Sequence, residues 1–193
     1  MTKNVKIFLL SAVIATAAMV FISWRRKSAT IIEKFIGIKE IGNNQAFSNA
    51  AFEEMMKTVG WTSGETWCMY LVKAVYIDAY PKKAEAIKKV LTPSTQQSWK
   101  NAKGRPDLFK VLDSADDKPQ VGDIIIWQST KNASLGHAGI LAKRPDITIE
   151  GNTSFQGVRD GQGVEKMKRN LVPGTIQGTL KVLGFIRLKN NLI

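Results

Sequence analysis

The chain has 193 residues, of which 44% are hydrophobic and 23% are charged, and this composition excludes a largely disordered protein. A net charge of +12 indicates attraction to an anionic partner without identifying it. The single cysteine excludes an intramolecular disulfide, and the single histidine means that any thiol–imidazole chemistry can use only Cys68 and His137.

The first predicted element is an uncharged stretch over residues 7–24, which basic residues flank at both ends. Eighteen helical residues span about 27 Å, close to the thickness of a bilayer's hydrocarbon core. We expect residues 1–28 to be an uncleaved transmembrane anchor. A signal peptide with a cleavage site at Ala15-Thr16-Ala17 is the alternative, and a helix buried in a soluble fold is a third. Residues 29–45 are then a tether to a domain over residues 46–193.

Helical periodicity dominates the first half of this domain. The predicted helices cover residues 48–59, 69–80, 82–91 and 93–102. Ser48 can cap the first helix, and Thr92 can cap the last, with Pro93 at its first position.

The second half of the domain has strand character, because short apolar runs alternate with turn residues. The predicted strands cover residues 123–127, 137–142, 147–149, 164–168 and 181–188. Helices followed by antiparallel strands predict an α+β domain, with N-terminal helices packed on a sheet of about five strands.

Cys68 and His137 are the first candidates for chemistry. Cys68 enters a predicted helix, where free N–H groups and partial positive charge stabilise a thiolate. His137 opens a strand at the rim of the sheet. A buried structural cysteine and a surface histidine are the alternatives. Glu150 and Asn152 follow on the next strand, where alternation would turn both toward one side and either could orient an imidazole.

Four segments in chain order resemble the CHAP family of cysteine, histidine-dependent amidohydrolases and peptidases, which belongs with the papain-like and NlpC-type cell-wall peptidases. The segments are Trp67-Cys68, Val121-Gly122-Asp123-Ile124-Ile125, Gly136-His137-Ala138-Gly139-Ile140 and Ile149-Glu150-Gly151-Asn152-Thr153. The resemblance spans roughly residues 45–190 and includes Gly157–Val164. It implies a papain-like CHAP fold with Cys68 as nucleophile and His137 as general base. Glu150 or Asn152 would orient the imidazole.

The resemblance also implies a peptidoglycan hydrolase, either an N-acetylmuramoyl-L-alanine amidase or a peptide endopeptidase. Backbone N–H groups at residues 67–68 would hold the oxyanion. Trp61, Trp67 and Trp127 would line a substrate groove or pack in the core. We expect no metal and no cofactor, a monomer, and a catalytic domain outside the cytoplasm, membrane-anchored or, if the segment is cleaved, secreted.

Two other classes remain as alternatives. One is a catalytically silent, membrane-anchored cell-wall binding module, which the intact set of candidate residues disfavours. The other is a basic nucleic-acid-binding protein, for which no recognition motif accompanies the charge. Basic stretches such as Lys166, Lys168 and Arg169 are interpreted as solvated surface, with a specific groove for a polyanion as the alternative.

Overall fold

The computed structural model describes residue 24, residues 26–153 and residues 162–190. The candidate anchor or signal segment therefore lies outside the described residues except for its C-terminal end, and so does most of the Gly157–Val164 segment. In the described part of the chain, no helix has the length and apolarity needed to cross a membrane.

Five helices are described, and four of them confirm the helical periodicity. They are α1 (residues 26–33), α2 (Ala50–Thr58), α3 (Cys68–Ala79), α4 (Ala84–Val90, preceded by a 3-10 turn over Pro81–Lys83) and α5 (Thr95–Lys103). Both predicted caps are wrong. The side chain of Asn49 accepts from the Phe52 N–H at 2.9 Å, and that of Ser94 accepts from the Gln97 N–H at 3.2 Å. An N-cap side chain must reach a free N–H of the first helical turn, and Asn49 and Ser94 are the residues that do so here.

The second half of the domain forms one antiparallel sheet, as predicted, but the sheet has seven strands rather than about five. The strands are β3 (Phe109–Leu112), β4 (Ile124–Ser129), β5 (Gly136–Lys143), β6 (Ile147–Thr153), β7 (Gly163–Lys168), β8 (Ile176–Gln177) and β9 (Leu180–Leu188). Their order is β3-β9-β4-β5-β6-β7, and β8 pairs with β9. The missed strands, β3 and β8, have only four and two residues, too few to show a period of two.

Helix α3 packs across the centre of the sheet, and nine of its twelve residues are buried. A helix buried on nearly all sides needs apolar residues around its whole circumference, which α3 has. The sheet is covered on both faces. Ile124 and Ile126 of β4 pack in the cluster that contains the helices, whereas Ile125 and Trp127 pack in a second cluster. Strand β4 is therefore buried on both sides, and its neighbour β5 packs against α3.

Residues 29–45, expected to be a tether, pack against the domain. Ala29 and Ile32 are buried one turn apart on α1, and the Ser28 hydroxyl donates to the Gly122 carbonyl at 3.0 Å. Residues 37–40 then hydrogen-bond along the edge of β7, and β1 (Glu40–Ile41) pairs with β2 (Ala46–Phe47). The apolar spacing of α1 explains the difference, because an amphipathic helix is stable only with a surface to cover.

Candidate active site

Cys68 is the first residue of α3 and lies where the helix begins. Its side chain is 7% exposed and forms part of the wall of a cleft of about 250 Å³. The N-terminus of a helix carries partial positive charge, which favours a negatively charged sulfur at this position. The cysteine is therefore packed in the protein and also open to a small molecule or peptide in the cleft.

His137 is fully buried near the start of β5, not on the surface. It pairs in register with Trp127 of β4, and the two rings lie 5.6 Å apart at an angle of 32°. Its Nε2 lies 3.0 Å from Oε2 of Glu150. Its Nδ1 is buried and has no hydrogen-bond partner within the described residues, so Nδ1 is the nitrogen left for the Cys68 side chain, with which His137 interacts.

The protonation of this cluster follows from its contacts. Burial alone lowers the pKa of His137, but the interactions with Cys68 and Glu150 outweigh burial and raise it from 6.5 to about 9. Burial likewise raises the pKa of Glu150, yet hydrogen bonds from His137 and Arg169 bring it down from 4.5 to about 2. At neutral pH the site therefore holds an imidazolium beside a carboxylate.

Glu150 and Asn152 do not share one role, although the sequence left open which of them orients His137. Glu150 contacts the imidazole, whereas the side-chain oxygen of Asn152 accepts from the backbone N–H of Trp67 at 3.0 Å. Asn152 has a φ of 55°, and the pairing of β6 with β7 shifts between Glu150 and Thr153. This bulge breaks the alternation that would have placed the two side chains together.

The Asn152 contact also corrects the expected oxyanion donors. The Trp67 N–H is already bonded to Asn152, so of the N–H groups at residues 67–68 only that of Cys68 can face a substrate oxygen. Glu40 of β1 supports the same loop, since its carboxylate accepts from the Trp67 indole at 2.8 Å and from the Asn152 amide at 3.5 Å. Asn152 and Glu40 together fix the backbone that enters α3.

Two glycines allow the strands to approach the site closely. A Cβ at Gly139 would lie 2.7 Å from Cγ of Glu150, and one at Gly151 would lie 2.5 Å from Cζ3 of Trp67. Both distances are shorter than van der Waals contact permits. The glycines in the Gly-His-Ala-Gly and Glu-Gly-Asn segments therefore make room for the Glu150 carboxylate and for the start of α3.

Trp61, Trp67 and Trp127 are buried, with at most 2% of each exposed. Trp61 and Trp67 both pack against Phe47, at ring-centroid distances of 4.7 and 5.0 Å. Trp127 packs on His137 from the opposite cluster. Of the two interpretations that the sequence allowed, the structure supports core packing, and the assignment of these tryptophans to a substrate groove is corrected.

The cleft beside Cys68 is instead lined by smaller side chains from three loops. Thr66 lies before α3, residues 93–95 lead into the first turn of α5, residues 134–136 lead into β5, and Asn152 closes the wall. Apart from Asn152, sequence patterns could not identify these residues, because they come together only through the packing of α5 against β4 and β5. In the described ranges, no group of three or more His, Cys, Asp or Glu residues is placed to hold a metal ion.

Arg169 is the other residue that the sequence did not single out, because it follows two lysines in a basic run. It is 5% exposed and binds Glu150 with two nitrogens, Nε to Oε1 at 3.0 Å and Nη2 to Oε2 at 2.6 Å. The interpretation of Arg169 as solvated surface is therefore wrong. The Thr148 hydroxyl also donates to Glu150 Oε1, so both carboxylate oxygens have buried donors.

The comparisons with known proteins give one match. Residues 60–152 match the family model of the CHAP domain, a family that is generally hydrolytic, with amidase and peptidase activity. No curated protein matches the chain, and no solved structure does. The matched residues contain Cys68, His137, Glu150 and Asn152 together with α3, β4 and β5. The chain is therefore similar to the CHAP family over residues 60–152, just under half of its length.

Proposed function

We propose that this protein is a peptidoglycan hydrolase that cleaves an amide bond, with Cys68 as nucleophile, His137 as acid and base, and Glu150 as the residue that orients His137. One observation carries the proposal: buried His137 bonds Glu150 through Nε2 at 3.0 Å, which leaves its Nδ1 for Cys68 in the wall of the cleft. These three side chains supply a nucleophile, a proton carrier and an orienting group in the required order.

In the first half of the proposed reaction, the Cys68 thiolate attacks the amide carbonyl, and a carbon–sulfur bond forms as the carbonyl oxygen becomes an oxyanion. The Cys68 N–H at the helix N-terminus donates to this oxyanion. The oxyanion collapses, the carbon–nitrogen bond breaks, and the His137 imidazolium gives its Nδ1 proton to the departing amine. A thioester and a neutral imidazole remain.

In the second half, neutral His137 takes a proton from a water molecule, which attacks the thioester carbonyl. The carbon–sulfur bond breaks, the carboxylic acid leaves, and Cys68 and His137 return to the thiolate–imidazolium form. Glu150 stabilises the imidazolium in both halves of the reaction. Because its pKa is about 2, its carboxylate stays ionised at neutral pH and takes no proton.

The surroundings of the site fit a wall substrate. The cleft is lined with threonine, serine and asparagine side chains, which can bond the amides of an extended peptide. The net charge of +12 favours association with the anionic polymers of a cell envelope. We further propose that residues 7–24 anchor the protein in a membrane with this domain on the outer face, and that it acts as a monomer.

Digestion of purified peptidoglycan tests the proposal. The full chain and its Cys68→Ala variant are incubated with walls of several chemistries, and the released fragments are identified by mass spectrometry. We expect fragments from the wild type and a rate at least about 10³-fold lower from the variant, because the nucleophile is removed. The ends of the fragments distinguish an amidase from an endopeptidase.

Matched thermal unfolding of the two proteins shows that the variant is folded. If the wild-type protein releases no fragments from any wall, the result contradicts the proposal that it is a peptidoglycan hydrolase. Binding to the walls without cleavage would instead favour the silent binding module. Cleavage that persists in the Cys68→Ala variant would contradict the assignment of Cys68 as the nucleophile.

A further inference from the structure

We propose that Arg169 is a positioning residue of this site, which fixes the Glu150 carboxylate against His137 and compensates its charge. Arg169 lies beyond the residues that match the family model, directly after β7. The inference rests on the thiol mechanism proposed above.

The geometry is that of a bidentate pair. Nε of Arg169 bonds one oxygen of Glu150 and Nη2 bonds the other, and the side chains are 3% and 0% exposed. A planar guanidinium matches the two oxygens of a carboxylate and holds its plane fixed. Oε2, the oxygen that faces His137, is the one with the shorter bond to Arg169. The orientation of the imidazole therefore depends on Arg169 through Glu150.

Arg169 is itself held in place. Its guanidinium carbon lies 5.4 Å from the centre of the Trp127 ring, and the same ring packs on His137. Trp127 therefore contacts both His137 and Arg169. This position explains why a tryptophan is buried beside the site without reaching the cleft.

The charge balance gives Arg169 a second effect. Within the described ranges, the charged groups that interact with His137 are Cys68 and Glu150, and those that interact with Glu150 are His137 and Arg169. With a thiolate and an imidazolium present, the charges of these four side chains sum to zero, and the positive charge of Arg169 is needed for that balance. Without it, the buried site would carry one net negative charge, which favours protonation of the sulfur. Arg169 allows a charged glutamate to orient His137 without opposing the thiolate.

Alkylation of Cys68 by iodoacetamide measures this effect without any wall substrate. The thiolate displaces iodide and forms a thioether, and Cys68 is the only cysteine in the chain, so the whole signal comes from this site. We expect Arg169→Met to move the midpoint of the alkylation rate against pH to a higher pH. Peptidoglycan cleavage should fall about 10- to 100-fold, as expected for loss of a hydrogen bond between charged groups.

Three further variants separate positioning from a purely structural role. Arg169→Lys keeps the charge but cannot form the bidentate pair, so its midpoint should stay near that of the wild type while cleavage falls. The double variant Glu150→Gln with Arg169→Met removes both charges, and its midpoint should return toward the wild-type value. Lys168→Met removes a neighbouring charge that is 79% exposed, and neither measurement should change.

The outcomes are distinct. A folded Arg169→Met variant with an unchanged alkylation midpoint contradicts the charge argument. Should Arg169→Met not fold, Arg169→Lys decides, because wild-type cleavage in that variant overturns the positioning role. A wild-type Cys68 that reacts like an ordinary free thiol at every pH would contradict the proposed function, whereas an activated Cys68 that Arg169 does not influence would contradict only this inference.

Discussion

One oxygen of Glu150, Oε2, contacts both His137 and Arg169 and so connects the two buried side chains. Oε2 accepts from Arg169 at 2.6 Å and faces His137 Nε2 at 3.0 Å, while Thr148 and Arg169 donate to Oε1. With every direction of approach occupied, the carboxylate has little freedom to rotate. The imidazole is thereby held with Nε2 on Glu150 and Nδ1 available to Cys68.

Replacing Glu150 with Gln tests this arrangement through the pH dependence of cleavage. Cleavage needs the imidazolium, so the wild-type rate should fall as the pH rises through the His137 pKa of about 9. Cys68 and Glu150 both raise this pKa. Glu150→Gln should therefore move the alkaline limb to a lower pH and reduce the rate.

NMR titration of the imidazole provides an independent measurement, because His137 is the only histidine. The pKa from the titration and the alkaline limb of cleavage should shift together. A Glu150→Gln variant with an unchanged limb and an unchanged titration would show that Glu150 does not stabilise the imidazolium.

At the scale of residues, the sequence identified the residue types that occur once and missed the residues whose role depends on packing. Cys68 and His137 could be named because each residue type occurs once. Glu150 and Asn152 could not be separated, because a bulge in β6 breaks the alternation on which the comparison depended. Arg169 was hidden in a basic run, and only its contact with Glu150 distinguishes it from the exposed Lys168.

At the scale of elements, α1 differs most from the prediction, because it packs on the domain instead of forming part of a tether. It covers the helix cluster from outside the family match, with Ile32 fully buried. We expect Ile32→Ala to lower the free energy of unfolding by about 2–5 kcal/mol, because the truncated side chain leaves a cavity that the surroundings fill only in part. Urea denaturation of the full chain measures the change.

Thr30→Ala is the matched control for this prediction, since Thr30 lies on the same helix and is exposed. It should change the urea midpoint by much less than Ile32→Ala. Equal midpoints for the two variants would mean that α1 does not stabilise the domain.

Elements could be predicted from the sequence as far as their periodicity extends. The four helices between residues 48 and 103 and the five longer strands follow from apolar spacing, with ends that differ by a few residues. The short strands β3 and β8 do not follow from apolar spacing, because their pairing depends on β9. The sequence of residues 29–45 predicts a tether, because the apolar spacing of α1 indicates a helix only once there is a surface for Ile32 to cover.

At the scale of the whole molecule, the buried charges make stability depend on pH in a defined direction. The pKa of His137 is raised from 6.5 to about 9, so its stabilising effect is complete below about pH 6.5 and is lost as the pH rises through about 9. The pKa of Glu150 is lowered from 4.5 to about 2, so its effect is present above about pH 4.5 and is lost as the pH falls toward 2.

Thermal unfolding of the wild type and of His137→Gln between pH 5 and pH 10 tests the first of these statements. The comparison cancels the change in net charge that both proteins share. The difference in Tm should be largest near pH 6 and should shrink as the pH passes 9. A difference that grows with pH would mean that folding lowers the pKa of His137.

The class of the domain was the most predictable property of the molecule. Helices before antiparallel strands indicated α+β, and the family match agrees with the resemblance drawn from four short segments. The number of strands and the path of residues 29–45 were not predictable, since both depend on contacts between parts of the chain far apart in sequence.

The place of β9 in the sheet has a consequence for biosynthesis. Leu180–Leu188 lies between β3 and β4, although Cys68, His137 and Glu150 all precede it by 30 residues or more. A ribosome that has made these three residues has not yet made the strand that joins β3 to β4, nor Arg169. The thiol site is therefore assembled only when translation of the domain is nearly complete, and the nascent chain carries Cys68 without its finished surroundings.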